Sequence, residues 1–402
     1  MTRRKRFFET IVERILMASG AMTSLTIILI VFFLFKEGSG LFRSPIIEQG
    51  YVLAVNAQNP INSLKPEQIK EIFDAHYTNW VQVGGADEPI VVFRLSDLTS
   101  YVSEEELGPN FELLPTVLSQ IVADHRGIIA FFPREYLAGD FSGGKLLDNQ
   151  DITSSEFFGG QEWFPTAQPA PLFGVLPLIL GTLLVSLAAI LFALPFGMAS
   201  AIYMAELSHS RTRQFLKPII ELLAGIPSVV YGFFGLVVLV PLIQRSFGLP
   251  VGETALCGAI ILAIMALPTI ITVAEDAIRN VPRATKEASL ALGASHWQTI
   301  RRVILPYSIS GIMAAVVLGI GRAVGETMAV LMVTGNAAIM PTTLLEPVRT
   351  IPATIAAELG EAPSGGVHYE ALFMLGCILF LITLVISISV EFISSKQPKT
   401  QM

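Results

Sequence analysis

Two opposite charges lie in a strongly apolar segment towards the C-terminal end of the chain. Arg322 and Glu326 stand four residues apart in the run 308–334, which contains no other charged residue. A charge at the centre of a bilayer costs about 2.5–3.5 kcal/mol on insertion scales, so both side chains should face protein or water. If the run is one helix, both residues share a helix face, and this spacing permits an ion pair.

Two roles are open for this pair. The planar guanidinium of Arg322 suits bidentate binding of an oxyanion, and Glu326 would then keep that site weak enough to release the anion. Alternatively, the two groups only neutralise each other, since buried ion pairs often break even energetically. Gly319, Gly321 and Gly325 would let another helix approach closely under either interpretation.

A second pattern lies in a charged segment between two apolar runs. Pro282 suits the first position of a helix, and Gly293 can adopt the left-handed conformation that ends one. Ser295 and Gln298 have the spacing of a capping box, so a second short helix should begin at once. The pattern therefore predicts a rigid lever of two short helices that meet at Gly293.

Residues 283–306 contain Glu287-Ala288-Ser289, then Gly293 after three residues, Val303 after nine more, and Leu305-Pro306 after one more. This spacing resembles the "EAA" loop of ABC importer permeases. Ser289 and Val303 stand where that family usually has Ala and Ile. In the family, the loop is the coupling helix that docks in a groove of the cytoplasmic ATPase. The resemblance therefore implies a coupling loop at 276–306, in which the ATPase-coupling residues are Glu287, Ala288, Gly293, Leu305 and Pro306.

The composition is that of a membrane protein. Hydrophobic residues make up 52% of the 402 residues and charged residues 15%, whereas soluble domains carry roughly 25% charged residues. A helix needs about 20 apolar residues to cross a bilayer. The sequence therefore predicts an all-α polytopic membrane protein, with six transmembrane helices near 15–35, 173–204, 218–243, 253–274, 308–334 and 369–393.

The distribution of basic residues predicts the orientation of these spans. Lys and Arg concentrate at the N-terminus, in the loops after the second and fourth spans and in the tail, whereas the two opposite short loops hold only Arg245 and Arg349. By the positive-inside rule, both termini and the coupling loop are cytoplasmic. The predicted segments are a cytoplasmic N-terminus with the first span (1–35), an insert (36–170), a permease core (171–394) and a cytoplasmic tail (395–402).

The insert at 36–170 has the charge of a separate aqueous domain. It holds 8 Lys and Arg against 19 Asp and Glu, a net charge of −11, and the predicted topology places it outside the cell membrane. Two strand-like segments with an amphipathic helix between them, followed by a second pair of apolar segments, predict an inserted α/β extracytoplasmic domain. Its predicted strands and helices lie at 51–56, 66–73, 89–93, 114–122 and 127–132.

Parts of the insert resemble periplasmic phosphate-binding proteins. The likeness comprises 64–73, the pairs Asn79-Trp80, Gly84-Gly85 and Pro89-Ile90, and 127–131. In that family a turn rich in Ser, Gly and Thr cradles the anion with backbone N–H groups. The equivalent stretch here, 94–100, has no glycine and contains Asp97, which would repel an anion. The sequence therefore favours a vestigial or docking domain over a working receptor.

Nucleotide binding is not predicted for this chain. Gly139, Gly144 and Lys145 nearly match a phosphate-binding Walker A loop, but Leu146 stands where Ser or Thr should hold magnesium. Since no complete nucleotide-binding signature occurs, ATP hydrolysis is expected on a separate subunit. The chain is accordingly predicted to be a transport subunit rather than an enzyme, with no cofactor.

Three segments narrow the resemblance to the PstC-type permease subunits of phosphate ABC importers, which belong to the binding-protein-dependent type I permeases. These are 221–232, 321–330 and 355–365, and the likeness is close over 173–393 but loose over 1–35. It implies a role in translocation for Arg322 and Glu326, and a place in the bacterial inner membrane. The implied partners are a PstA-like second permease, PstB-like ATPase subunits, a periplasmic phosphate-binding protein and the lipid membrane, with no nucleic acid.

Alternatives remain open at this point. The substrate could be another oxyanion, such as sulfate, molybdate or tungstate. A phosphate-sensing regulatory membrane protein is disfavoured because the sequence shows no kinase, phosphatase or other output domain. A secondary transporter is also disfavoured, since no inverted repeat is evident and a coupling loop would have no purpose there.

Overall fold

The computed structural model describes residues 3–48 and 50–395, with side chains from Val12 onward except those of residues 104, 391 and 393–395. The chain divides into two compact units, one up to Ser39 and from Leu176 onward, the other from Gly40 to Val175. Lys396 and Lys399, the basic residues of the predicted cytoplasmic tail, lie outside the described residues. So do the side chains of the basic N-terminal cluster at 3–6.

Helices dominate the described chain. In order they are α1 (Arg3–Gly38), α2 (Pro66–Phe73), α3 (Leu114–Asp124), α4 (Ser154–Gly159), α5 (Leu176–Ile202), α6 (Ser210–Ala224), α7 (Ser228–Phe234), α8 (Val240–Phe247), α9 (Ala255–Arg279), α10 (Arg283–Ala291), α11 (His296–Thr299), α12 (Leu305–Tyr307), α13 (Ile309–Gly325), α14 (Met328–Val333), α15 (Ile351–Glu358) and α16 (Val367–Ser395). Wider π-helical turns occupy Tyr203–Leu207, Gly235–Leu239 and Ile300–Ile304.

Strands occur in the unit from Gly40 to Val175. They are β1 (Tyr51–Asn56), β2 (Val91–Arg94), β3 (Ile128–Pro133), β4 (Gly144–Leu146), β5 (Trp163–Phe164) and β6 (Leu172–Phe173). The first four form a mixed sheet in the order β2-β3-β1-β4, in which β2 is parallel to β3 while β1 runs antiparallel to both β3 and β4. β5 and β6 form a separate antiparallel pair.

The core of this unit lies between the sheet and α3. Val52, Phe93 and Ile128 from the strands pack with Leu118 and Val122 from α3, and all five are buried. The predicted strands and helices of the insert are confirmed, with end shifts of one or two residues at β2, β3 and α3. Short, continuous apolar runs located β1 and β3, which are buried along nearly their whole length.

In the other unit, α5, α9 and α13 pack around a common apolar core. Ile270 of α9 lies between two glycines, because a Cβ at Gly197 or Gly319 would come within 3.0 Å of its side chain. The predicted close approach is therefore confirmed at Gly319. It is wrong for Gly321 and Gly325, where an added Cβ would meet nothing within 4 Å.

The described residues contain five helices long and apolar enough to span a membrane. A sixth span is present only if the helical run His296–Tyr307 and α13, which are bent by 70° relative to each other, count as one. Of the six predicted spans, two are wrong as continuous helices, because 218–243 is interrupted at 225–227 and 308–334 is interrupted after Gly325.

The interruption at 225–227 has a local cause. Ile226 precedes Pro227, and the residue before a proline is disfavoured in the helical conformation. Helix α6 therefore ends at Ala224, and α7 begins at Ser228 after the extended Pro227. The Tyr231 hydroxyl donates to the Leu223 carbonyl over 2.9 Å and so satisfies one carbonyl at the end of α6.

Candidate translocation site and coupling loop

Arg322 lies in the last turn of α13 and is partly buried. Its Nη1 donates a hydrogen bond to Oγ1 of Thr269, over 3.3 Å, from the neighbouring helix α9. The sequence interpretation did not include Thr269. The available signal was a hydroxyl directly after Pro268, inside a mostly apolar span.

Glu326 lies outside the helix that carries Arg322. α13 ends at Gly325, and Glu326 is extended with φ −73° and ψ 131°. Its Oε1 accepts a hydrogen bond from the Ala329 N–H over 3.4 Å, in the first turn of α14. A carboxylate is favoured there because free N–H groups and the helix dipole give that end partial positive charge.

The ion pair that the four-residue spacing permits is therefore not formed in this structure. Among the residues that the structure describes, no ion pair joins Arg322 to Glu326; the former contacts Thr269 and the latter caps α14. The shared helix face required a continuous helix across 322–326, and the break after Gly325 removes it. Arg322 consequently keeps a positive charge that this carboxylate does not directly neutralise.

An open cavity of about 510 Å³ adjoins the break between α13 and α14. Gly325 and Thr327 line it from the break, Ile355 from α15, Leu359 from the residue directly after α15, and Leu379 from α16. Irregular backbone within a membrane protein is tolerated where protein covers it or where it lines a cavity. Helix interruptions of this kind form substrate sites in other transporters.

The coupling loop folds largely as the sequence predicts. Gly293 has φ +87° and follows α10, so the left-handed helix end is confirmed. The capping box is also confirmed, because the Ser295 hydroxyl accepts from the Gln298 N–H and the Gln298 side chain accepts from the Ser295 N–H. Pro282 stands one position earlier than predicted, at the N-cap of α10.

One face of this loop is open. α10 contains no buried residue, and both Glu287 and Ala288 are exposed. Leu292 is 90% exposed and Trp297 is 60% exposed. Contiguous exposed apolar surface marks a site that a partner covers.

Leu305 and Pro306 lie elsewhere, at the bend between the coupling loop and α13. Leu305 packs against a core that includes Ala201, Ala274 and Ile304. Pro306 lies within the helical run His296–Tyr307, where it cannot donate a backbone hydrogen bond, and the turn before it is π-helical. The predicted coupling residues therefore lie in two places. Glu287, Ala288 and Gly293 are exposed on the loop, whereas Leu305 and Pro306 lie at the bend before α13.

Two polar contacts of partly buried side chains attach α10 to other parts of the unit. The Lys286 Nζ lies 2.5 Å from Oε1 of Glu206, in the π-helical turn after α5. The Ser289 and Thr299 hydroxyls are 3.0 Å apart. The sequence interpretation missed Glu206 and Thr299, since nothing in the local pattern indicates which distant residues meet α10.

In the insert, the groups that resemble an anion site are committed to internal contacts. Arg94 donates from Nη2 to the Phe73 carbonyl over 3.0 Å, and its guanidinium lies 5.1 Å from the centre of the Phe73 ring. Asp97 accepts from the Arg94 N–H and from the Ser96 hydroxyl. The stretch 94–100 therefore forms a closed 3₁₀ turn that includes a carboxylate.

A cavity of about 420 Å³ in the same unit is acidic. Its lining includes Lys70 and four carboxylates, Glu67, Glu71, Glu156 and Glu162. A hydrogen bond to Asp74 raises the pKa of Lys70, and Glu162 lies 3.5 Å from the same ammonium. This cation is therefore already paired, and the cavity disfavours an anion.

Comparison with known proteins gives two family matches. The family described as binding-protein-dependent transport system inner membrane component matches residues 193–397. The family described as PBP superfamily domain matches residues 14–135.

Individual relatives agree with the first match. A probable ABC transporter permease protein YqgH of Bacillus subtilis (strain 168) is 39% identical over 246 residues, 61% of this chain and 79% of that protein. The phosphate transport system permease protein PstC of Mesorhizobium japonicum is 41% identical over 249 residues, 57% of this chain and 75% of that protein. A solved structure of the MetNI methionine ABC transporter in inward-facing conformations is 16% identical with a TM-score of 0.45, covering 58% of this chain and 100% of that one.

The resemblance to importer permeases is thus confirmed by a family match over half of the chain and by relatives of which the chain covers three quarters or more. Members of this family are multi-pass transport components rather than enzymes. The chain belongs to the binding-protein-dependent transport system inner membrane components, the permease subunits of ABC transporters.

Proposed function

We propose that this chain is the PstC-type permease subunit of an ATP-driven phosphate importer and forms half of its translocation pathway. The observation that carries the proposal is the placement of Arg322, whose guanidinium contacts Thr269 and forms no ion pair with Glu326. The relatives named PstC support phosphate as the substrate.

Arg322 and Thr269 together provide the groups that an oxyanion needs. A tetrahedral anion could accept hydrogen bonds from the guanidinium and from the Thr269 hydroxyl, in place of their mutual 3.3 Å contact. Hydrogen bonds between ionised partners are stronger than neutral ones. Glu326, four residues along the chain, would weaken the site by repulsion, which suits transport because the anion must also leave.

The exposed face of the coupling loop would bind the separate ATPase. Glu287, Ala288 and Gly293 are the proposed contact residues, while Leu305 and Pro306 would set the bend that passes movement into α13. This assignment places both termini and the loop in the cytoplasm of a bacterium, with the spans in the inner membrane. A PstA-like permease would supply the other half of the pathway, and PstB-like subunits the ATPase.

For the insert we propose an α/β extracytoplasmic domain that helps a periplasmic phosphate-binding protein to dock. The match to the PBP superfamily over 14–135 supports its origin. The internal contacts of Arg94 and Asp97 support loss of the anion site.

A permease for sulfate, molybdate or tungstate is the second candidate, because a guanidinium and a hydroxyl can bind any of these tetrahedral anions. Uptake of radiolabelled phosphate by the complete importer in proteoliposomes separates the two. We expect unlabelled phosphate to compete and the other three anions, in the same excess, to leave uptake unchanged. Stronger competition by one of them would reassign the substrate.

The charge of Arg322 should be required for uptake. R322Q should abolish phosphate uptake by the assembled importer. T269V has nearly the same shape but lacks the hydroxyl, and a hydrogen bond to a charged group contributes about 1.5–3 kcal/mol, so apparent KM should rise roughly tenfold or more. E326Q is the control because it removes a nearby charge but keeps the guanidinium of Arg322 and the hydroxyl of Thr269. Near-normal uptake by the double variant R322Q/E326Q would show that the pair is needed only for neutrality.

Gly293 should be required for coupling because its φ of +87° strains any β-branched residue. G293V should lose uptake and substrate-stimulated ATPase activity while the chain still inserts in the membrane. G293N is the matched control, since Asn tolerates the left-handed conformation, and it should keep most activity. Wild-type uptake by G293V would show that the left-handed conformation at Gly293, and so the rigid arrangement of the two short helices, is not needed for coupling.

The isolated insert should not bind phosphate, because its cavity is acidic and Arg94 is engaged. A fragment covering residues 40–175, the compact unit, can be titrated with phosphate at millimolar concentration in a calorimeter. The expected result is no heat of binding, against a periplasmic phosphate-binding protein as the positive control. Saturable binding would make the insert a receptor.

A further inference from the structure

The ion pair between Lys286 and Glu206 connects the coupling loop to α5, a helix that does not adjoin the loop in the sequence. α9 leads directly into α10, and the run His296–Tyr307 leads directly into α13, so both helices are linked to the loop through the backbone. α5 is separated from α10 by α6 to α9. Glu206, in the π-helical turn that extends the C-terminal end of α5, forms an ion pair with Lys286 of α10.

This ion pair is built into the fold. The side chains of Lys286 and Glu206 are only 20% and 14% exposed, and the charged atoms are 2.5 Å apart. Ala205, the residue before Glu206, packs against a core formed by Ala274, Ile278 and Ile300. A salt bridge in this environment is screened less than one at the surface, and removing one partner leaves a partly buried charge.

Lys286 and Glu287 are neighbours on α10 with different surroundings. The lysine faces Glu206, whereas the glutamate is exposed on the face proposed for the ATPase. A displacement of α10 by a partner bound at the exposed face would therefore be transmitted to α5 through the ion pair of Lys286 with Glu206. α5 in turn packs on α9 and α13, which carry Thr269 and Arg322.

We propose that Glu206 is a positioning residue for energy coupling, which ties α5 to the coupling helix so that α5, α9 and α13 move together when the ATPase acts. This rests on the proposed function, because it requires that an ATPase docks on α10. Without the tie, the ATPase would still bind and hydrolyse ATP, but movement of α10 would bend the loop instead of displacing α5.

The test is the number of anions taken up per ATP hydrolysed by the complete importer in proteoliposomes. E206Q and K286M should each lower this ratio by about fivefold or more. This factor corresponds to the lower end of typical coupling free energies between two sites. The swapped variant E206K/K286E should restore it towards the wild-type value. E361Q, which removes an exposed carboxylate beyond α15, is the control and should leave the ratio unchanged.

Two results would overturn the proposal. One is an unchanged ratio in E206Q, including the case in which uptake and ATPase activity fall equally; the other is an uncoupled E206K/K286E variant in a fully assembled complex. The ratio is measured for whichever oxyanion the wild-type importer transports. An error in the phosphate assignment would therefore show in the wild-type sample, and an error in the role of Glu206 only in the variants.

Discussion

The membrane-spanning unit depends on one constraint: a polar group among apolar helices must find its partner within the protein. Arg322 finds a hydroxyl on α9, and Glu326 finds an N–H at the start of α14. At the end of α9, the fully buried carboxylate of Glu275 binds Arg213, over 2.7 Å, and Lys217, over 3.3 Å, both from α6. These contacts link α13 to α9, Glu326 to α14 and α9 to α6.

The same constraint separates the roles of the two charges in the 308–334 segment. Had α13 continued through Glu326, the carboxylate and the guanidinium would have shared a face and satisfied each other. The break after Gly325 turns Glu326 towards the next helix instead. Arg322 is thereby left with a neutral partner that an anion can replace, and this is the physical basis of the proposed transport role.

Short-range signals in the sequence predicted their structures well. The Ser295 and Gln298 capping box, the left-handed Gly293 and the strands of the insert depend on residues a few positions apart. The break at 326 was missed because the apolar run resumes directly after it in α14, so Gly325, Glu326 and Thr327 were interpreted as part of one continuous span. The contacts of Arg322 with Thr269 and of Lys286 with Glu206 were missed because they join residues 53 and 80 positions apart, which only the packing of whole helices brings together.

The central claim is that the Arg322 guanidinium is available to an anion, and covalent modification of this side chain tests it most directly. The complete importer in membranes can be treated with phenylglyoxal, with modification of the Arg322 peptide followed by mass spectrometry over time. The account predicts that Arg322 reacts and that phosphate, but not chloride at equal ionic strength, slows its reaction. A rate that phosphate leaves unchanged, or reaction only after Glu326 is neutralised, would contradict it.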